Sequence, residues 1–147
     1  MRFKQHFKKT RLIFWAVVLA TISGCFQIFG PGPATFVKKS INPSKTTQAI
    51  LFWKGGNATS GNSLQVSVKD AGDDLDKEEM GNIFTVDNDH GKAWLNPNAI
   101  RLIWTSDRQL NIEYDVNLRT FIQVKRFNDD TIVYRTFKPV IPTNHMD

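Results

Sequence analysis

The chain has 147 residues, 41% of them hydrophobic and 22% charged, with nine Gly, six Pro and one Cys. That balance excludes wholesale disorder and a collagen repeat, and a single cysteine excludes an internal disulfide and a multi-cysteine zinc site. The formal charge of +5 does not mark a nucleic-acid face: five of the nineteen basic residues lie in the first eleven positions with no acid among them, and the rest of the chain balances at fourteen against fourteen.

Taken in chain order, the first element is a targeting segment. A basic head (Arg2, Lys4, Lys8, Lys9, Arg11) precedes the apolar run 12–22, whose eleven residues suit the core of a secretory signal and are too few to span a bilayer. The run leads into Ile22-Ser23-Gly24-Cys25, which has the form of a bacterial lipobox: an aliphatic residue, two small residues for a narrow peptidase site, then the cysteine whose sulfur takes a diacylglyceryl group. Two or more acyl chains anchor stably where one does not. A second reading stands beside it. Apolar character resumes at Phe26, Ile28 and Phe29, so 12–29 is also long enough for a short, uncleaved transmembrane helix with Cys25 incidental. The lipobox is preferred because the only cysteine sits where it is needed. Either way the basic head stays in the cytoplasm and the remainder is extracytoplasmic.

Segment 1–25 is therefore read as signal and lipobox or membrane anchor, 26–47 as a tether, 48–137 as a β domain and 138–147 as a flexible tail. Gly30-Pro31-Gly32-Pro33 breaks regular structure, 40–47 is polar with a further proline, and Ala34-Thr35-Phe36-Val37-Lys38 between them is a short strand candidate too weak to move it out of the tether. From residue 48 the dominant period is two. The run 48–54 suits a strand buried on both faces; 64–69 alternates apolar with polar; 82–87 is β-prone. The acids of 73–80 suggest the one helical turn. Ile100, Leu102 and Trp104 share a face, Leu110, Ile112 and Tyr114 share another, and 121–127 and 131–137 complete the strands. Turn signals fall at Gly55-Gly56-Asn57, Ser106-Asp107-Arg108 and Asn128-Asp129-Asp130. The expectation is a mainly β fold, a small antiparallel meander or sandwich after an N-terminal hydrophobic helix. Trp53, Trp104, Tyr114 and many of the Phe residues form its core.

Candidate chemistry is sparse. The acids from Asp70 to Glu79 fail the EF-hand spacing, since counting from Asp74 the sixth residue is Glu79 rather than Gly and the twelfth is Thr85. The densest polar cluster is Asp87, Asn88, Asp89, His90, Gly91 and Lys92. Asp87, Asp89, His90 and Gly91 are the candidate ligand or cation turn, with His90 as a general base beside a carboxylate. No second histidine completes a zinc site, because His6 lies in the targeting segment and His145 in the tail. No Gly-x-Ser-x-Gly elbow supplies a nucleophile. An Asx-type turn with His90 bonded locally is the favoured reading. The small-residue loop 55–63 lacks the lysine and helix of a phosphate loop and reads as a hairpin connection.

Four stretches occur in order: Asn57-Ala58-Thr59-Ser60-Gly61; Leu64-Gln65-Val66-Ser67-Val68; Gly81-Asn82-Ile83-Phe84 running through Asp89-His90-Gly91; and Ile103-Trp104 with Leu110-Asn111-Ile112-Glu113-Tyr114. In these the chain resembles a family of short, uncharacterised bacterial envelope proteins, in which a signal or anchor precedes a small β-rich domain of unknown function. The resemblance spans roughly 44–137. Relatives tend to carry a cysteine near the Gly55-Gly56 turn, and this chain has none, which argues against an essential redox role. The segment 103–112 is also similar to a single hairpin of a propeller blade, implying Trp104 and Leu110 on a shared core face.

The function expected is that of a membrane-anchored extracytoplasmic module of the bacterial envelope, non-enzymatic, with no catalytic residue, metal or cofactor assigned and no nucleic-acid partner. It would bind the membrane through its lipid anchor or helix and engage an envelope partner. A small metal-dependent or hydrolytic site at Asp87, Asp89 and His90 is one alternative, and an envelope immunity or inhibitor protein is another.

Overall fold

The computed structural model describes Trp15 and residues 31–57 and 60–139. The segments expected to form the hydrophobic helix, the lipobox with Cys25 and the extreme C-terminal tail lie outside the described residues, apart from Trp15. The described chain is mainly β, in two sheets.

The first sheet is antiparallel throughout. Its order is β1 (Ala34–Ile41), β2 (Thr47–Lys54), β3 (Ser63–Asp70), β4 (Phe84–Asp87) and β7 (Arg119–Gln123). Alternation sets the register: Ala49 pairs with Val68, Leu51 with Val66 and Trp53 with Leu64, so one face of the β2–β3 hairpin is apolar throughout. The opposite face of β2, carrying Ile50 and Phe52, is buried as well. Its cover is the connection 71–83. Lys54 Nζ donates to the Lys77 carbonyl, Gln48 Nε2 to the Asp70 and Asp73 carbonyls, and Gln65 Oε1 accepts from Gly81 N–H at 2.6 Å. This explains why β2 reads as a continuous apolar run. It also replaces the helical turn expected at 73–80: those residues form a non-helical strap. The acids there bond nearby backbone N–H groups instead, with Asp76 Oδ1 accepting from Glu78 N–H and Glu79 Oε2 from Asp76 N–H.

The second sheet has the order β5 (Ile100–Ser106), β6 (Gln109–Asp115), β9 (Asp130–Phe137) and β8 (Arg126–Phe127). The β5–β6 hairpin brings Trp104 opposite Leu110 and Leu102 opposite Ile112. Leu110 is buried and Trp104 packs on the core, as the hairpin pattern implied. One pair departs from the antiparallel expectation: β6 and β9 run parallel, Ile112 opposite Tyr134. The cause is a change of sheet. The segment 121–127 is two strands rather than one, β7 closing the first sheet and β8 opening a hairpin in the second.

Apolar faces of both sheets meet in one cluster containing Leu51, Leu64, Val66, Phe84, Ile100, Leu110, Ile112 and Ile132, with Trp53, Trp104, Tyr114 and Tyr134 packed around it. Fully burying a side chain of this size contributes about 1.5–3 kcal/mol. Phe84 sits between two tyrosines, its ring centroid 5.0 Å from that of Tyr114 and 5.3 Å from that of Tyr134. The Tyr134 hydroxyl crosses to the first sheet's connections, 2.9 Å from the Ile83 carbonyl and 2.8 Å from that of Val124.

β1 lies inside the segment read as a tether. It is an edge strand with Phe36 largely exposed, and a bulge between Phe36 and Lys38 turns Val37 toward the core. It ties the sheets together with side chains: Trp104 Nε1 donates to the Ser40 carbonyl, and Lys38 Nζ donates to the carbonyls of Pro97 (2.8 Å) and Ile100 (2.6 Å). At one end of the molecule the buried Asn42 closes the structure. Its Oδ1 accepts from Thr46 and Thr47 N–H, and its Nδ2 reaches the Asp107 carbonyl in the β5–β6 turn. At the opposite end β1 begins beside the Gly55 turn. Gly32 N–H bonds the Gly55 carbonyl there, and a Cβ on Gly32 would stand 2.9 Å from the Gly55 Cα.

Candidate ligand groove

The turn singled out in the sequence lies at this second end. β4 stops at Asp87 and β7 starts at Arg119, and the two are directly paired across the ladder. Arg119 Nε donates to Asp87 Oδ1 at 3.1 Å and its Nη2 to Asp87 Oδ2, a two-point grip of the kind guanidinium and carboxylate favour. Its Nη1 contacts His90 Nε2 at 3.1 Å and lies 3.6 Å from Asp89 Oδ1. A guanidinium has only donors, so the His90 Nε2 accepts. Lys92 Nζ takes the other oxygen of Asp89 at 2.8 Å. Burial opposes ionisation of Asp87, but the Arg119 bonds, the Asp89 N–H and the Arg119 charge hold its pKa below the usual carboxylate value.

Backbone geometry follows the same plan. Asp89, His90 and Gly91 all have positive φ, at 46°, 58° and 88°. Asp and Gly tolerate that region, and the His90 backbone is held there by its neighbours. Asp87 Oδ1 accepts from Asp89 N–H, and the Asn88 carbonyl accepts from Gly91 and Ala93 N–H. Both carboxylates are thus neutralised by Arg119 and Lys92, and a cation would have to displace the arginine to bind. Among the described residues no group of three His, Cys, Asp or Glu side chains is placed to hold a metal ion.

The far side of the same turn forms one wall of a groove of about 1000 Å³ between the two sheets. That volume is at the upper end of small-ligand sites, roughly 300–1,000 Å³. Trp53 of β2 and Asn62, just before β3, line it from the first sheet's side; Arg101, Asp115 and Phe137, with Asn117 of the turn after β6, line it from the second. Residues 88–99, the crossing between sheets, complete it with Asn88, Gly91, Lys92, Trp94 and Asn98 among others. Of the four residues picked from sequence, only Gly91 reaches the groove. Asp87, Asp89 and His90 instead fix the turn behind it.

The wall is built before any ligand arrives. Asn96 caps a short 3-10 turn, Pro97–Ala99, by accepting from Asn98 N–H at 2.9 Å, and its Nδ2 holds the Trp94 carbonyl at 3.1 Å. Lys38 pins the end of this turn from β1. Burial, and to a lesser extent the Arg101 charge, pull the Lys38 amine below its ordinary value. Arg101 lies 4.3 Å over the Phe137 ring and pairs with Glu113 at 3.4 Å. Asp115 Oδ1 accepts from both Asn117 N–H and Asn117 Nδ2 and so fixes that side chain.

Two features remain uncommitted. Trp94 is 75% exposed although it lies on a structured wall. The Asn88 and Asn98 amides have no side-chain hydrogen bond among the described residues. Neither was legible as a site. Trp94 stands in Gly91-Lys92-Ala93-Trp94-Leu95-Asn96-Pro97, outside any alternating run, and an aromatic in a polar loop was the available signal. Comparison with protein-family models, with curated proteins and with solved structures finds no match for this chain.

Proposed function

We propose that this chain is a membrane-anchored extracytoplasmic protein of the bacterial envelope whose β unit binds a ligand without transforming it. The observation that carries the binding reading is the pre-built groove with an exposed tryptophan and unengaged amides. Ligand sites are characteristically concave, largely formed in advance, and lined by aromatic surface with a few oriented polar groups. The charge balance at Asp87, Asp89, Arg119 and Lys92 favours binding over hydrolysis, since no carboxylate there is left to act as a base. The anchoring reading rests on the basic head, the apolar run and Ile22-Ser23-Gly24-Cys25.

Intact mass of membrane-extracted protein tests the anchor. Wild type should begin at residue 25 and carry acyl chains, and Cys25→Ser should lose both. An uncleaved mass in both proteins would replace the lipid anchor with a transmembrane helix, and a soluble cytoplasmic product would overturn the reading.

A further inference from the structure

The groove's chemistry narrows its occupant, and this step rests on the binding reading above. We propose that the groove takes a chain of acetamido sugars. A pyranose ring presents an apolar face of C–H groups and an edge of hydroxyls. Trp94 offers a flat apolar surface at the groove wall, and Trp53 supplies a second aromatic side chain from β2. An amide side chain carries donors and an acceptor together, which is what a hydroxyl pair or an acetamido substituent needs. Asn88 and Asn98 keep that capacity unused, and both belong to the 88–99 crossing that also presents Trp94.

Other occupants fit less well. A purely apolar ligand would leave these amides desolvated and unpaired, at a cost in affinity. A compact phosphate would be held by cations, yet Lys92 is paired with Asp89 and Arg101 with Glu113, leaving Lys138 at the rim. A sugar chain uses the aromatic surface and the amides at once. Its bulk also suits a groove of about 1000 Å³, too large for a single ring.

The test uses the full chain in a zwitterionic, sugar-free detergent, with tryptophan fluorescence as readout. Chitotetraose, four linked N-acetylglucosamine units, is the probe, and cellotetraose, the same backbone without acetamido groups, is the control. Saturable quenching by chitotetraose is expected, with cellotetraose at least several-fold weaker. Trp94→Ala should weaken binding about tenfold, the order expected for loss of one aromatic platform. Asn98→Ala should narrow the gap between the two sugars. Trp94 is exposed, so unchanged melting of Trp94→Ala separates a binding effect from unfolding.

No saturable response up to millimolar chitotetraose overturns the sugar proposal, as does equal binding by Trp94→Ala. If chitotetraose is silent but deleting 140–147 shifts the emission, the groove's occupant is the chain's own C-terminal segment and the proposal falls. Acylation at Cys25 without sugar binding would leave the anchored-module reading standing. Sugar binding by an unacylated, non-membrane protein would do the reverse.

Discussion

Removing the Tyr134 hydroxyl gives the most discriminating stability measurement. That oxygen sits 2.9 Å from the Ile83 carbonyl and 2.8 Å from the Val124 carbonyl, joining β9 to the residue before β4 and the residue after β7. The Ile83 carbonyl also accepts from Val124 N–H at 2.9 Å and stays paired without the tyrosine. The Val124 carbonyl loses its hydroxyl partner. A part-buried acceptor left unsatisfied costs about 1–2 kcal/mol. For a domain of this size that is a fall in Tm of roughly 5–10 °C. Tyr134→Ala also removes the ring packed on Phe84, raising the loss to about 3–5 kcal/mol. Among the described residues the Tyr114 hydroxyl meets only the exposed Gln123 amide, at 3.3 Å, so Tyr114→Phe should stay within about 0.5 kcal/mol of wild type. Burial raises the Tyr134 pKa strongly, so the hydroxyl remains a donor throughout the accessible pH range. Urea and thermal unfolding of the full chain would measure all three. A Tyr134→Phe protein as stable as wild type, or a Tyr114→Phe protein equally damaged, would refute the assignment of this oxygen as the tie between sheets.

Two further outcomes follow from the turn and the strap. The folded-state pKa of Asp87 is depressed, so its pairing with Arg119 stabilises the fold above the unfolded carboxylate value near roughly 4 and is lost as pH falls through the folded one. The Tm gap between wild type and Asp87→Asn should therefore be open at pH 7 and shrink by pH 3; a gap that does not change with pH would contradict it. Gly81→Ala should destabilise by about 1–3 kcal/mol, because a Cβ there would lie 2.8 Å from the Phe84 carbonyl and 2.9 Å from Gln65 Cβ. Gly72→Ala, with a φ of +106° but open space around it, should cost only about 1 kcal/mol of backbone strain, and circular dichroism melts of the pair would show whether crowding or conformation dominates.

The strands that bury a face were legible, and those that do not were hidden. β2 announced itself as a continuous apolar run, and β3, β5, β6 and the β9 region through Val66, Leu102, Ile112 and Ile132 on one phase of a two-residue period. β1 did not, because Phe36 and Ile41 point largely to solvent, and its contribution is made through Lys38 and the Ser40 carbonyl. Strand direction was equally hidden: alternation at 131–137 is the same for a parallel or an antiparallel neighbour, so the parallel β6–β9 pair left no mark. The acids of 73–80 suggested a helix start, but that segment lacks the apolar 3.6-residue stripe that would give a helix something to bury. At the candidate site, the polar turn at 87–91 was visible as a turn, and its partner Arg119 was not, since the two are 32 positions apart and meet only through sheet pairing. The groove was invisible for the same reason: it is lined from both sheets and from the crossing between them.

The close approach of Gly32 to Gly55 has a consequence for where a ligand can be met. It puts the start of β1 at the same end as the groove, and Cys25 stands only six residues before Pro31. Six extended residues reach at most about 20 Å. A lipid on Cys25 would keep the groove on a short leash above the headgroups, with its mouth at the membrane-proximal pole rather than the distal one. Its ligands would then come from the envelope layer lying against that membrane, and a long polymer would reach it by running alongside the bilayer rather than end-on.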